Sequence, residues 1–177
     1  MINIFSHFFL FLLIVYSNGF FFLKQIKYLD NNKNFYEICL IGLIVTIFAA
    51  QIINFIFPLN NYVIYLNLFF ILILFLYNKK DYLNNLKFDI KIFFPIFFLA
   101  LFNIYGSKFH DDINHYHYGY VVNADNFNYI WGLSNLHHHY GYSPIWLIGQ
   151  SYFNFDSTRL QDIHVLNGLL FFLTLSL

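Results

Sequence analysis

The sequence predicts an all-α, polytopic membrane protein with about four complete transmembrane helices, the start of a fifth, and one long external loop carrying amphipathic helices. Three observations predict it. Of 177 residues, 59% are hydrophobic and 10% charged, whereas a soluble domain is about half apolar and about a quarter charged. The 26 Phe and 15 Tyr exceed what one core takes up, and suit helices whose outer faces meet lipid and whose ends carry interfacial aromatics. Apolar runs long enough for a bilayer recur along the chain, parted by short polar turns.

The first run extends from Ile4 to Leu23 and stops at Lys24. It has no preceding basic residue and no small-residue cleavage site, so it reads as a span rather than a signal peptide. The second, Ile38 to Phe57, is closed by Pro58 with Asn60 and Asn61; the third follows from Tyr62 to Tyr77, which makes a helical hairpin. The fourth, Ile92 to Tyr105, is short and contains Pro95. It is expected to borrow Phe88 and Ile90 while Lys87 and Lys91 snorkel to the surface. A fifth run starts at Ile163 and is still apolar at Leu177, which reads as a fragment cut inside a helix. The organisation expected is therefore spans over 1–105, a loop over 106–162, and the start of a span over 163–177.

Lysines set the expected orientation. Lys24, Lys27 and Lys33 follow the first span, and Lys79, Lys80, Lys87 and Lys91 lie between the third and fourth. Positively charged loops stay cytoplasmic, so the N-terminus, the Pro58 turn and the loop are expected outside. Asn18, Gln51, Asn54, Asn67 and Asn103 are expected to make interhelical hydrogen bonds or to lie near an interface. Cys39 reads as a small packing residue. Nine basic and nine acidic residues cancel without a cluster, so nucleic acid is not an expected partner; membrane lipid is.

Between Gly106 and Asp162 the chain changes character, holding five Asp, six His, both Trp and many Tyr and Asn. Ile113, Tyr116, Tyr120, Ala124, Phe127 and Trp131 recur every three or four residues and predict an amphipathic helix on the membrane surface. At its start Asp111 and Asp112 precede His115 and Tyr116 by helical spacings. A carboxylate and an imidazole on one face can take a proton from a hydroxyl or hold one edge of a divalent metal, and the same carboxylates can equally cap the helix. His137, His138 and His139 are adjacent, so their side chains diverge, and no Cys or HExxH partner completes a zinc set. They suit hydrogen bonding to phosphate or sugar hydroxyls better than a dedicated metal site. Ser143-Pro144 predicts an N-cap opening a short helix from Trp146 to Phe153, and Asp156 to Thr158 a second start leading into the fifth run.

The order Asp112, Tyr116-His117, Gly132-Leu133-x-Asn135-Leu136-His137, Gly141-Tyr142 and Trp146 resembles a family of uncharacterised bacterial multi-spanning membrane proteins, itself similar to the GT-C glycosyltransferases that use polyprenyl-phosphate sugars at the external membrane face. The resemblance covers about 40 residues, roughly Asp111 to Phe153. It implies inverting transfer of a sugar from a lipid-phosphate donor in cell-envelope glycan synthesis, at the bacterial inner membrane, with Asp112 as base. Asp111 would assist or help hold a divalent cation. Tyr116, His117, Asn135, His137 and His139 would bind substrate, and Trp146 would stack on a sugar or anchor the loop. Two other classes stay open: a non-catalytic transport or assembly component for envelope polysaccharide, and a metal-handling protein built on the histidines.

Overall fold

Helix boundaries fall where side chains can satisfy the backbone. The computed structural model describes residues 2–29, 34–106, 117–130, 132, 135, 145–154 and 164–177; among them there is no strand. In order these form α1 (Ile2–Gln25), α2 (Phe35–Asn54), α3 (Asn61–Asn85), α4 (Ile90–Gly106), α5 (Tyr118–Asn126), α6 (Ile145–Tyr152) and α7 (Val165–Ser176). Asn34 and Asn60 cap α2 and α3, each side-chain oxygen accepting the N–H two residues on. Asp89 does the same for α4, accepting from the Lys91 N–H at 2.8 Å.

Three of these helices, α1, α2 and α3, are long and apolar enough to cross a membrane. The fourth predicted span is a shorter helix of 17 residues, about 25 Å at 1.5 Å per residue. It takes in Ile90 as expected. Phe88 stays outside it and packs its ring against Phe35 and Phe93, at 5.3 and 4.9 Å. The fifth run forms α7, which starts at Val165 after His164.

Two boundaries differ from expectation. The second span ends at Asn54, three residues early, because the N–H groups of Ile56 and Phe57 both turn back to Ile53. The third continues past Tyr77 across a break at Asn78, whose φ and ψ of −122° and 18° leave the helical region. The Asn78 side chain donates to its own helix at the Leu74 carbonyl, 2.9 Å, the local competition that bends helices. Its Oδ1 accepts from Lys24 Nζ at 2.7 Å, and Lys24 also pairs with Asp81 at 2.6 Å. The turned-in segment delivers Tyr82 to α1, where its hydroxyl meets Ser17 Oγ at 2.8 Å and its carbonyl accepts from the Tyr16 hydroxyl at 3.0 Å.

The closest helix pair is α1 with α2. Gly19 and Gly42 face one another so tightly that a Cβ on Gly42 would collide with the Val15 carbonyl oxygen, and one on Gly19 with that of Ile38. Small residues allow this approach, and it lets polar groups reach across: Asn18 Nδ2 donates to Thr46 Oγ1 at 2.9 Å, while Thr46 itself donates to the Gly42 carbonyl of its own helix at 2.6 Å. Helix α7 then lies along α4, with Gly168 against Ile104. An aromatic cluster joins three helices, Phe172 meeting Phe93 at 5.1 Å and Phe8 at 5.6 Å. Cys39 is buried and free, as a packing residue should be.

Lys24 joins the ends of α1 and α3, so it shares one end of the bundle with Lys79 and Lys80, which flank that contact. The opposite end holds the Pro58 turn together with α5.

Candidate functional site

Asn54 closes α2 and begins the site. It is 2% exposed, and its amide nitrogen donates to the carbonyls of Ala124 and Phe127, each at 3.3 Å. Its backbone carbonyl accepts the Tyr129 N–H at 2.7 Å, while the Leu59 N–H donates to Ala124 at 2.8 Å. One membrane helix and the turn after it thus clamp the end of α5. Helix α5 packs on α6, and its Tyr120, Val121 and Ala124 are buried. Phe127 departs from the predicted apolar face: it is the C-cap, in extended conformation, and 54% exposed. Val121 is buried in its stead, because the helix ends at Asn126 and the periodic register ends with it.

Of the residues singled out from the sequence, Asp111, Asp112, Tyr116, His137 and His139 lie outside the described residues, as do Ile113, Trp131, Ser143, Pro144 and the Asp156–Thr158 start. His117 stands half-buried at the N-cap of α5. Asn135 is exposed, and its N–H donates to the Gly132 carbonyl at 2.9 Å. Gly132 has φ of 84°, a left-handed backbone that glycine adopts without a Cβ penalty.

Trp146 is on α6, half-buried, and its indole N–H donates to Asn167 Oδ1 on α7 at 3.0 Å. This bond ties α6 to α7. Trp146→Phe should keep the ring packing and leave Asn167 without its donor. That is expected to lower stability by about 1 kcal/mol, read from the thermal midpoint of purified protein, and an unchanged midpoint would show the bond to be idle.

Helix α6 carries polar groups that sequence reasoning passed over. Gln150, Ser151 and Asn154 are 6%, 0% and 2% exposed, and His164, just before α7, is 8% exposed. Gln150 Oε1, Ser151 Oγ, both side-chain polar atoms of Asn154 and His164 Nε2 have no hydrogen-bond partner among the described residues. The sequence signal was available: two polar residues, Gln150 and Ser151, in a short helix otherwise made of Ile, Trp, Leu, Tyr and Gly, with Asn154 just beyond its end.

On its other side α6 borders a half-open cavity of about 390 Å³ between α2 and α3. Apolar side chains line most of it. Two polar pairs enter: Asn18 with Thr46, and Asn67, whose amide donates to the Tyr152 hydroxyl at 2.6 Å. The expected interhelical role of Asn18, Asn54 and Asn67 is met at each. Among the described residues no three His, Cys, Asp or Glu side chains gather as a metal set.

A family model matches the chain over residues 1–177, through helices and loop alike. The protein belongs to the DUF8201 domains of unknown function. No curated protein and no solved structure matches it. In this DUF8201 domain the described part of the long loop is built onto the membrane helices by Asn54, Leu59 and Trp146.

Proposed function

We propose that this protein is a GT-C-like membrane glycosyltransferase that moves a sugar from a polyprenyl-phosphate donor at the external face of a bacterial inner membrane, in cell-envelope glycan synthesis. The observation that carries the reading is the ordered set Asp112, Tyr116-His117, Asn135, His137 and Trp146 within one water-facing loop between membrane helices. Support comes from the clamp at Asn54, which seats the segment following His117 at the end of the bundle opposite the lysine-rich segments, the end that the positive-inside rule assigns to the exterior.

In this mechanism the Asp112 carboxylate takes the proton of the acceptor hydroxyl as that oxygen attacks the anomeric carbon. The bond from that carbon to the phosphate oxygen breaks, configuration inverts, and the lipid phosphate leaves with the electron pair. Asp111 beside it adds a second oxygen donor of the kind hard divalent cations take, and a cation there would offset phosphate charge. His117, Asn135, His137 and His139 orient the phosphate and sugar hydroxyls.

Asp112→Asn keeps shape and hydrogen-bonding capacity but cannot accept the proton. In the full-length protein it is expected to abolish glycan formation while membrane levels stay unchanged. Undiminished glycan formation would remove Asp112 as the base. It would favour the second reading, a non-catalytic transport or assembly component, for which the half-open cavity of about 390 Å³ between α2 and α3 is the supporting observation.

A further inference from the structure

Consecutive helices joined by a short turn usually pack on one another, yet α3 packs more on α1 than on α2. The half-open cavity of about 390 Å³ parts the two. Its walls are one stripe of each helix: Val45, Ala49 and Ile53 recur every fourth residue on α2, and Val63, Leu66 and Phe70 every third or fourth on α3. From Val45 to Ile53 is about 12 Å at 1.5 Å per residue, so the space is a groove that runs along the helices from the Pro58-turn end toward mid-membrane. Leu66 and Phe70 are more than half exposed, so its mouth opens where hydrocarbon surrounds the bundle. Left empty, the lining would forfeit dispersion contacts that a chain entering from the bilayer restores, and water would meet mostly apolar walls.

The polar groups of the groove select the kind of chain. Asn67 of α3 and Tyr152 at the end of α6 both line it and meet at 2.6 Å, and Tyr152 is 2% exposed. Two amide protons and one hydroxyl proton make three donors. The bond between the pair uses one, whichever way the amide is turned, and the other two have no acceptor among the described residues. An occupant that brings an acceptor satisfies them. No charged side chain lines the groove, so a phosphate drawn into it would lose its hydration without a counter-charge, whereas a neutral carbonyl would not. The depth fits a carbonyl as well. Asn67 stands six residues beyond Asn61, the first residue of α3, about 9 Å along the helix. A bilayer of about 40–45 Å with a hydrocarbon core of about 30 Å has an interface of roughly 5–8 Å on each side, so the pair lies where hydrocarbon begins. That is the level of the ester carbonyls of a glycerolipid.

We propose that the groove between α2 and α3 is a binding site for a glycerolipid, one acyl chain lying along the groove and the ester carbonyl of that chain accepting from the Asn67–Tyr152 pair. The lipid enters from the leaflet at the Pro58-turn end, its head group stays at the surface, and its chain runs inward past Leu66 and Ala49. Alanine at 49 leaves the width that a chain needs. The site stands apart from the sugar-transfer reading, which places its chemistry in the loop.

The test takes the full-length protein, stripped of lipid in detergent micelles, and titrates it with dioleoyl phosphatidylglycerol or with its diether analogue, which has the same head group and chains but no carbonyls. Native mass spectrometry counts the bound lipid. One ester lipid is expected to bind saturably and roughly tenfold tighter than the diether, the ratio that one hydrogen bond supplies. Asn67→Leu combined with Tyr152→Phe removes all three donors and keeps apolar bulk, and should bring the two lipids to equal affinity. Ala49→Phe, at an exposed position of the groove wall, should weaken both lipids at least tenfold while the thermal midpoint of the lipid-free protein holds. Equal binding of the two lipids to the unaltered protein would overturn the proposal, and that comparison needs no variant to fold. Ester binding undiminished in Ala49→Phe would overturn it too, as the mark of lipid held elsewhere on the surface. So would the absence of saturable binding, which would mean that another part of the protein closes the groove. Undecaprenyl phosphate displacing the ester lipid at equal concentration would replace the acyl chain by a prenyl one. Binding is read without catalysis, so each result stands whether or not Asp112 is a base.

Discussion

Gly42→Leu is expected to dismantle the crossing of α1 and α2 and with it the folded protein. A Cβ at Gly42 already collides with the Val15 carbonyl and lies within 2.7 Å of the Gly19 amide nitrogen. Overpacking a core typically costs 1–3 kcal/mol when flexible side chains can give way. Here the obstacle is the backbone of the facing helix, so the helices must separate, breaking the Asn18–Thr46 bond between them. The loss should be on the order of 4 kcal/mol or more, among the largest single-residue effects. Denaturant titration of the purified protein in mixed micelles measures it. Ala49→Val, at an exposed position on the same helix, is the control and should stay within about 0.5 kcal/mol of wild type. A Gly42→Leu protein as stable as that control would mean that the two helices do not touch there.

Asn54→Asp is expected to release the end of α5 from the membrane helices. The substitution preserves shape but replaces the amide that donates to Ala124 and Phe127 with an oxygen. An acceptor then faces two carbonyls in a buried place, each deprived of one donor. Leaving such groups unsatisfied costs roughly 1–3 kcal/mol apiece, so the Asp variant should be worse than Asn54→Ala, which brings no repelling oxygen. Hydrogen exchange reads the junction directly. The Leu59 and Tyr129 amides, which donate across it at 2.8 and 2.7 Å, should exchange about a hundredfold faster, corresponding to about 2.8 kcal/mol, while amides within α1 stay protected. Unaltered exchange at those two amides would show that the clamp is held by something other than Asn54.

What was legible in the sequence is what a local stretch of chain decides for itself. A long apolar run must be helical in lipid, because no water satisfies its backbone there, and the helical state of the spans in α1, α2 and α3 follows from that. Asparagines at 34 and 60 cap their own helices two residues on, an interaction contained within one turn. Lysine placement grouped the segments by end, and Lys24 meeting Asp81 is consistent with it. The loop was recognisable by its shift to Asp, His and Tyr, and Asp112 as its candidate base by the resemblance its motif order carries.

Other features needed the packed molecule. Glycine at 19 and 42 reads as ordinary until two helices place them face to face. Asn54 was readable only as a polar residue near a helix end; its partner Ala124 lies 70 residues away, a separation on which periodicity is silent. At the break, Asn78 and Asp81 both meet Lys24 from another helix, a contact that spacing along one helix does not show. The sequence shows polar residues at 150, 151, 154 and 164, but that some of their atoms are buried without partners needed the packed molecule, since whether a polar side chain meets water or an apolar wall is set by what packs over it. Composition and spacing thus determined which segments are helical and which carries the candidate chemistry. Tertiary structure decided which polar groups are matched, because hydrogen-bond partners are fixed by distance in space and not along the chain.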